Sequence, residues 1–252
     1  MTKTILITGA TAGIGRAVAL KFADSGFRII ITGRRKDLLE QLADEIRKGS
    51  GCEVFPLAFD VRKWTDTQNS LETLPESWRN IDILVNNAGL AAGLDPIQEA
   101  DPADWDTMID TNVKGLLYVS RIVIPWMLEH GSGHIFNIGS IAGKEVYPKG
   151  GVYCASKHAV DALTRGMRID LLPYGIKVTQ ISPGAVETEF SIVRFKGDIE
   201  RAKLVYQGYE PLQGEDVAEV IHFITTLPER VNVNDILVMP QAQANATLFN
   251  KK

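Results

Sequence analysis

Tyr153 and Lys157 stand four residues apart in Tyr153-Cys154-Ala155-Ser156-Lys157, and the run that follows through Ala159, Ala162, Leu163 and Met167 predicts a helix. Positions i and i+4 share a helix face, so a phenol is expected beside an ammonium. A nearby positive charge favours the phenolate. The spacing therefore predicts a Tyr153 pKa lowered from about 10 toward neutrality, each unit needing about 1.4 kcal/mol of differential stabilisation. A tyrosine tuned this way exchanges protons near neutral pH, as a general acid or base must. A plain surface helix could carry the same two residues, so the rest of the chain has to decide between the readings.

A second chemical stretch lies near the start. Gly9-Ala10-Thr11-Ala12-Gly13-Ile14-Gly15 follows the apolar run Ile5-Leu6-Ile7 and precedes Ala17, Val18, Leu20 and Phe22 at helical spacing. Strand, glycine-rich turn and helix make a phosphate cradle, because a helix N-terminus offers free N–H groups and a positive dipole end. The spacing is Gly-x-x-x-Gly-x-Gly, without the Gly-Lys-Ser/Thr ending of a P-loop. About 20 residues further on, where an NAD site usually carries an acidic residue, stand Gly33-Arg34-Arg35. Guanidinium groups pair with a 2′-phosphate that a carboxylate would repel, so the sequence favours NADP over NAD. The alternative is that Arg34 and Arg35 only end a solvent-exposed turn.

Elements that position these residues alternate along the chain. Strands are expected at 5–7, 28–32, 54–58, 82–85, 133–138, 176–181 and 236–239. Helices are expected after the glycine turn, at 36–48, 64–74, 104–129, around Tyr153 and at 214–227. That order implies a single α/β domain spanning 1–252, a Rossmann-type doubly wound parallel sheet of about seven strands with helices on both faces. Ligands of such sheets bind at the carboxyl ends of the strands. There lie Asp60 and Val61, with the Asp60 carboxylate able to take an adenine amino group, together with Asn86-Asn87-Ala88-Gly89, Ser140 and Pro183-Gly184-Ala185-Val186-Glu187-Thr188. Ser140 has no Gly-x-Ser-x-Gly elbow, against a hydrolase nucleophile. Asn112, a poor helix former inside the 104–129 helix, asks for either a helix distortion that frees its carbonyl or a side-chain hydrogen bond. Residues 189–213 have weak periodicity, which suggests a mobile active-site lid.

Composition narrows the class. The 252 residues are 45% hydrophobic with net charge −4, and no basic stripe recommends nucleic acid as a partner. No apolar run is long enough to span a bilayer, no signal-peptide pattern opens the chain, and Cys52 and Cys154 form no pattern, so a reduced cytoplasmic protein is expected. His130, His134, His158 and His222 lack metal-ligand spacing, and no metal is expected. Asn245-Ala246-Thr247 matches a glycosylation sequon, read here as chance. Cys154 reads as a small buried residue rather than an oxidation switch. Leu116, Leu117, Val119, Ile122 and Val123 serve either the sheet core or a subunit contact.

Thr8-Gly9-x3-Gly13-x-Gly15, Asn86-Asn87-Ala88-Gly89, Asn112, Ser140, Tyr153-x3-Lys157 and Pro183-Gly184, in this order and spacing, resemble the short-chain dehydrogenase/reductase family over nearly the whole chain. Four stretches narrow the resemblance to NADP-dependent 3-hydroxy acid dehydrogenases acting on L-serine and L-allo-threonine. They are Thr32-Gly33-Arg34-Arg35, residues 82–91, Trp105-x2-Met108-Ile109-Asp110-Thr111-Asn112 and residues 193–198. The resemblance implies that Tyr153 exchanges the proton of the substrate 3-hydroxyl and that Lys157 tunes it and holds the nicotinamide ribose. It implies that Ser140 binds the reacting oxygen and that Asn112 anchors a water linking Lys157 to solvent. Gly9, Ala10, Thr11, Ala12, Gly13 and Ile14 would cradle the pyrophosphate, and Arg34 and Arg35 the 2′-phosphate. Asp60 and Val61 would take the adenine, Asn87 the ribose, and Pro183, Gly184, Ala185, Val186 and Thr188 the nicotinamide carboxamide. The family implies a homotetramer built through the two long central helices. A carboxylate-bearing substrate needs a cation, and Arg194 or Lys196 is the candidate. Two alternatives stand beside this reading: a broad carbonyl or 3-ketoacyl reductase, and a non-catalytic NADP(H)-sensing module.

Overall fold

In the computed structural model, which describes residues 2–252, one seven-stranded sheet runs through the molecule. Its strands are β1 (Thr4–Thr8), β2 (Arg28–Gly33), β3 (Val54–Ala58), β4 (Ile83–Asn86), β5 (His134–Ile138), β6 (Lys177–Pro183) and β7 (Asp235–Val238). All pair in parallel in the order β3-β2-β1-β4-β5-β6-β7, the doubly wound arrangement expected. Pro56 in β3 is tolerable because β3 is an edge strand, where a missing N–H costs no ladder bond.

Alternation along the inner strands builds two cores. Ile5, Ile7, Ile29 and Ile31 face one side, where they meet Val18, Phe22 and Ala23 of α1 (Gly13–Asp24). Leu42 and Ile46 of α2 (Lys36–Gly49) and Val217 and Ile221 of α9 (Gly214–Thr225) complete that layer. Leu6, Ile30 and Leu84 face the other side, against Leu71 of α3 (Trp64–Glu72) and Val119, Val123 and Met127 of α5 (Leu116–His130). These side chains are almost wholly shielded, and burying each one larger than alanine contributes roughly 1.5–3 kcal/mol. Of the apolar residues that the sequence left between core and subunit contact, Leu116, Val119 and Val123 are core, whereas Leu117 stays exposed.

The expected 104–129 helix is three pieces. An α-helix, α4 (Pro102–Ile109), passes into a π-wound segment (Asp110–Gly115) and then α5. Asp101 caps α4 by accepting from the Ala103 N–H, 3.0 Å away. Residues 189–213 hold two short helices, α7 (Phe190–Arg194) and α8 (Ile199–Val205). One or two turns each is too little for a periodic pattern to show in sequence. The long helix α6 (Gly151–Leu171) carries Tyr153 and Lys157 in its first two turns.

Candidate active site

Strand order reverses beside β1, and the main cleft, of about 320 Å³, opens there at the carboxyl ends of β1 and β4. Gly9, Thr11, Ala12, Gly13 and Ile14 line its floor. Gly9 sits at φ +66°, and a Cβ there would come within 2.9 Å of Ala88 Cα; at Gly15 it would come within 2.4 Å of Asn87 Nδ2. Only glycine permits that approach. Helix α1 begins at Gly13 with no side-chain cap and no acidic residue in its first turn, which leaves its N–H groups and dipole to an anion. Ala10 is placed otherwise than expected. It is fully buried, and its N–H donates to Thr32 O at 2.9 Å, so it holds β2 rather than facing the cleft. Asn87 lines the cleft, but its side chain donates to the Thr8 and Gly9 carbonyls at 2.8 and 3.1 Å and pins the glycine turn.

Arg34, Arg35, Asp60 and Val61 form the cleft's far rim. Asp60 is held in a fork by Arg62, with Nη2 to Oδ2 at 2.6 Å. Burial alone would raise its carboxyl pKa, but hydrogen bonds and charge from Arg62, joined by Arg34, hold it below the ordinary value. Arg34 lies exposed on the rim. Arg35 reaches across the mouth, where Nη1 meets Glu189 Oε2 at 2.8 Å and Nη2 meets Thr11 Oγ1 at 2.8 Å.

Ser140, Tyr153 and Lys157 converge at the opposite end. All three are nearly buried. The phenol was expected to be lowered by Lys157; in this structure burial raises the Tyr153 pKa above its ordinary value. The neighbouring Tyr147 adds to the rise, while Arg194 and Ser140 pull the other way. Lys157 is turned elsewhere: Nζ donates to Ile138 O at 2.8 Å, and burial lowers its own pKa to about 8. Sharing a helix face sets where Cβ atoms lie, and the long lysine stem then reaches the β5 carbonyl.

Asn112 answers both parts of its question. It sits in the π-wound segment, and its side chain is also bonded. Oδ1 accepts from Leu90 N and Nδ2 donates to Leu90 O, both at 2.8 Å, while Nδ2 also meets Ser156 Oγ at 2.9 Å. Asn112 thus ties the segment after β4 to α6. Gly89 packs against it: a Cβ there would lie 3.3 Å from Asn112 Oδ1 and 3.4 Å from Lys157 Nζ.

Arg194 and Lys196 part company. Lys196 Nζ is taken up by Asp104 Oδ2 at 3.0 Å. The Arg194 guanidinium lies 5.0 Å from the Tyr153 ring centre and 5.3 Å from that of Phe190. Its Nη2 donates to Tyr147 Oη at 2.5 Å, and its Nε is buried without an acceptor among the described residues. Tyr147, Glu189 and Phe190 escaped the sequence reading. No local pattern marks them; Tyr147, for one, is placed by the fold against Gly150, where a Cβ would strike its ring at 2.1 Å. Pro183, Gly184, Val186 and Thr188 close the cleft, whereas Ala185 gives its N–H to Gln243 Oε1 at 2.8 Å. Cys154 is a buried free thiol, raised in pKa first by burial.

A doubly wound sheet with an open anion cradle at its switch point, and a buried tyrosine and lysine facing it, defines a nucleotide-dependent oxidoreductase. The chain belongs to the short-chain dehydrogenase family, whose model matches residues 3–198. It is 47% identical over 245 residues, 97% of this chain and 96% of the other, to sulfoacetaldehyde reductase 2 of Chromohalobacter salexigens. It is 46% identical, over 97% of both chains, to the NADP-dependent 3-hydroxy acid dehydrogenase YdfG of Escherichia coli K12. Among solved structures it is similar to the closed form of a serine dehydrogenase complexed with NADP+, with TM-score 0.91, 46% identity and 99% of both chains covered. No helix among the described residues is long and apolar enough to cross a membrane. No group of three or more potential metal ligands occurs among them.

Proposed function

We propose that this NADP-dependent dehydrogenase oxidises the 3-hydroxyl of small 3-hydroxy acids of the L-serine, L-allo-threonine, 3-hydroxyisobutyrate or 3-hydroxypropionate type. The observation that carries the substrate class is the Arg194 guanidinium, whose carbon lies 5.0 Å from the Tyr153 ring centre. A cation at that place would pair with a substrate carboxylate, and a charged hydrogen bond of this kind contributes roughly 1.5–3 kcal/mol. Tyr147 holds the guanidinium from its other side.

The residues fit NADP. The uncapped start of α1 takes the pyrophosphate, Arg34 and Arg35 the 2′-phosphate, and Asp60 and Val61 the adenine. The loop 183–188 flanks the nicotinamide. When bound, the cofactor supplies the hydride acceptor. Ser140 orients the substrate oxygen, and Tyr153 takes its proton in oxidation and returns it in reduction. The buried phenol must lose its proton for this, which asks for a cation near it. Arg194 is a cation whose charge favours the phenolate in this structure, and Lys157 stands one turn along α6. Asn112 keeps the segment carrying Leu90 fixed to α6.

Reduction of a small sulfonated aldehyde is a second reading. The sulfoacetaldehyde reductase relative suggests it, and a guanidinium beside Tyr153 suits a sulfonate as it does a carboxylate. The protein would work in the cytoplasm as a homotetramer. Exposed Ile169, Leu172 and Tyr174 near the end of α6 and Phe223 on α9 offer apolar contact surface. Light scattering tests the assembly: a mass four times the 27.7 kDa chain supports it. Initial rates of NADPH formation on L-serine, D-serine, L-allo-threonine, L-threonine, 3-hydroxyisobutyrate, 3-hydroxypropionate and a neutral secondary alcohol test the substrate class. Turnover confined to hydroxy acids supports it, and turnover of the neutral alcohol alone overturns it in favour of a general carbonyl reductase.

A further inference from the structure

The family match ends at residue 198, yet the last residues of the chain reach back to the loop that borders the cofactor cleft. After β7 the chain forms a small hairpin in which Gln243 opposes Phe249, with Ala244 N donating to Leu248 O at 3.0 Å. Asn245 Oδ1 stabilises the turn by accepting from Thr247 N and Leu248 N at 2.9 and 2.8 Å. The far end is tied down as well: Lys252 N donates to Gly208 O at 2.8 Å, and the Phe249 and Tyr209 rings lie 4.9 Å apart.

Gln243 is the buried point of this tail, 6% exposed. Oε1 accepts from Ala185 N at 2.8 Å, and Nε2 donates to Asn245 O at 3.1 Å. Its approach needs a glycine beneath it, since a Cβ on Gly184 would stand 2.5 Å from Gln243 Oε1. Other backbone groups of the loop are secured by β7 and by Leu212, which lies between α8 and α9. Gly184 N donates to Val238 O at 2.7 Å, Leu212 N to Ala185 O at 3.0 Å and Glu187 N to Leu212 O at 2.8 Å. The Ala185 N–H depends on Gln243. Gly184, Val186 and Thr188, on either side of it, face the cleft.

We propose that Gln243 is a positioning residue: through the Ala185 N–H it fixes the loop 183–188, and so the nicotinamide half of NADP, while leaving the adenosine half untouched. The inference rests on the NADP reading above. Adenosine contacts lie on the far rim at Arg34, Arg35, Asp60 and Val61, none of which the tail meets through the bonds described. The side-chain bonds of Gln243 go to Ala185 and Asn245 alone, so its effect falls first on the nicotinamide end, a split that a general loss of stability does not imitate.

The test compares two ligands on the full chain: the Kd of NADP+ and the inhibition constant of 2′,5′-ADP, which carries the 2′-phosphate but no nicotinamide. Gln243→Leu strands the Ala185 N–H and is expected to raise the NADP+ Kd about tenfold, with 2′,5′-ADP within about twofold of the parent. Gln243→Glu keeps an oxygen acceptor and is expected to hold the NADP+ Kd within about threefold of the parent, even if its melting temperature falls. Should Gln243→Leu fail to fold, Gln243→Asn withdraws the acceptor by one methylene and is expected to show the same split. Equal changes in both ligands, or an unchanged NADP+ Kd in both Gln243→Leu and Gln243→Asn, overturn the inference. A parent protein that binds neither ligand overturns the cofactor reading itself.

Discussion

Arg194 and Tyr153 come from different elements, α7 and α6, and stack with the guanidinium carbon 5.0 Å from the phenol ring centre. On the proposed function, a charge at that place would serve both a substrate anion and the phenolate. Arg194→Ala is expected to raise KM for 3-hydroxy acids about 10- to 200-fold, the loss of one charged hydrogen bond. KM for a neutral secondary alcohol should move far less. Steady-state kinetics on both substrates check this, and equal effects on the two would sink the anchor role.

Arg35 and Glu189 close the mouth of the cofactor cleft as an ion pair with both side chains about half exposed. Exposed pairs contribute about 0.2–1 kcal/mol, so Glu189 competes only weakly for the guanidinium. Glu189→Gln should tighten NADP+ by about 1.5- to 5-fold, because Arg35 no longer has to leave a partner. Arg35→Ser should weaken NADP+ by about tenfold or more while NAD+ binding stays near its parent value. Titration with both dinucleotides decides, and NAD+ falling in step with NADP+ would remove Arg35 from the 2′-phosphate.

Tyr153→Phe removes the hydroxyl proposed to exchange the substrate proton. Turnover should fall by about 10²- to 10⁴-fold, the usual contribution of a general acid or base. NADP+ binding should persist, since the ring remains packed at 5.6 Å from Phe190. Unchanged turnover would favour the sensing-module alternative or another proton carrier.

Lys144 bridges Asp161 at 2.5 Å and also Asp235 at the start of β7, pinning α6 to the end of the sheet. Burial would lower the Lys144 pKa, but its two carboxylate partners raise it. Burial would likewise raise Asp161, but Lys144 and Arg165 hold it below its ordinary 3.8. A depressed carboxyl stabilises above its unfolded pKa and loses that contribution as pH falls through the folded value. A raised lysine stabilises below 10.5 and loses its share as pH rises through the folded value. Lys144→Met should therefore destabilise by about 1–3 kcal/mol at neutral pH, reduced by the partial exposure of all three groups. Denaturant melts at several pH values should show the gap to the parent narrowing below 3.8. A gap constant across that range would mean packing, not charge, is at stake.

Local pattern was enough for the frame. Ile5-Leu6-Ile7 before three glycines, and apolar runs alternating with helical spacing, encode strands and helices within a few residues, because period and turn chemistry are local properties. Seven parallel strands, the glycine cradle and the Tyr153–Lys157 pair on one helix were legible on that basis. The π-wound segment around Asn112 was half legible, as a residue out of place in a helix.

What only the tertiary structure decided is where long side chains end. The sequence puts Lys157 on the face of Tyr153, but the fold brings the Ile138 carbonyl within its reach, and burial reverses the expected direction for the phenol. Arg194 meets Tyr147 across 47 residues, Arg35 meets Glu189 across 154, and Gln243 meets Ala185 across 58. No periodicity links such positions. They meet because the crossovers of the sheet bring separate chain segments to one edge, and there burial and unpaired donors, which no single segment specifies, set the chemistry.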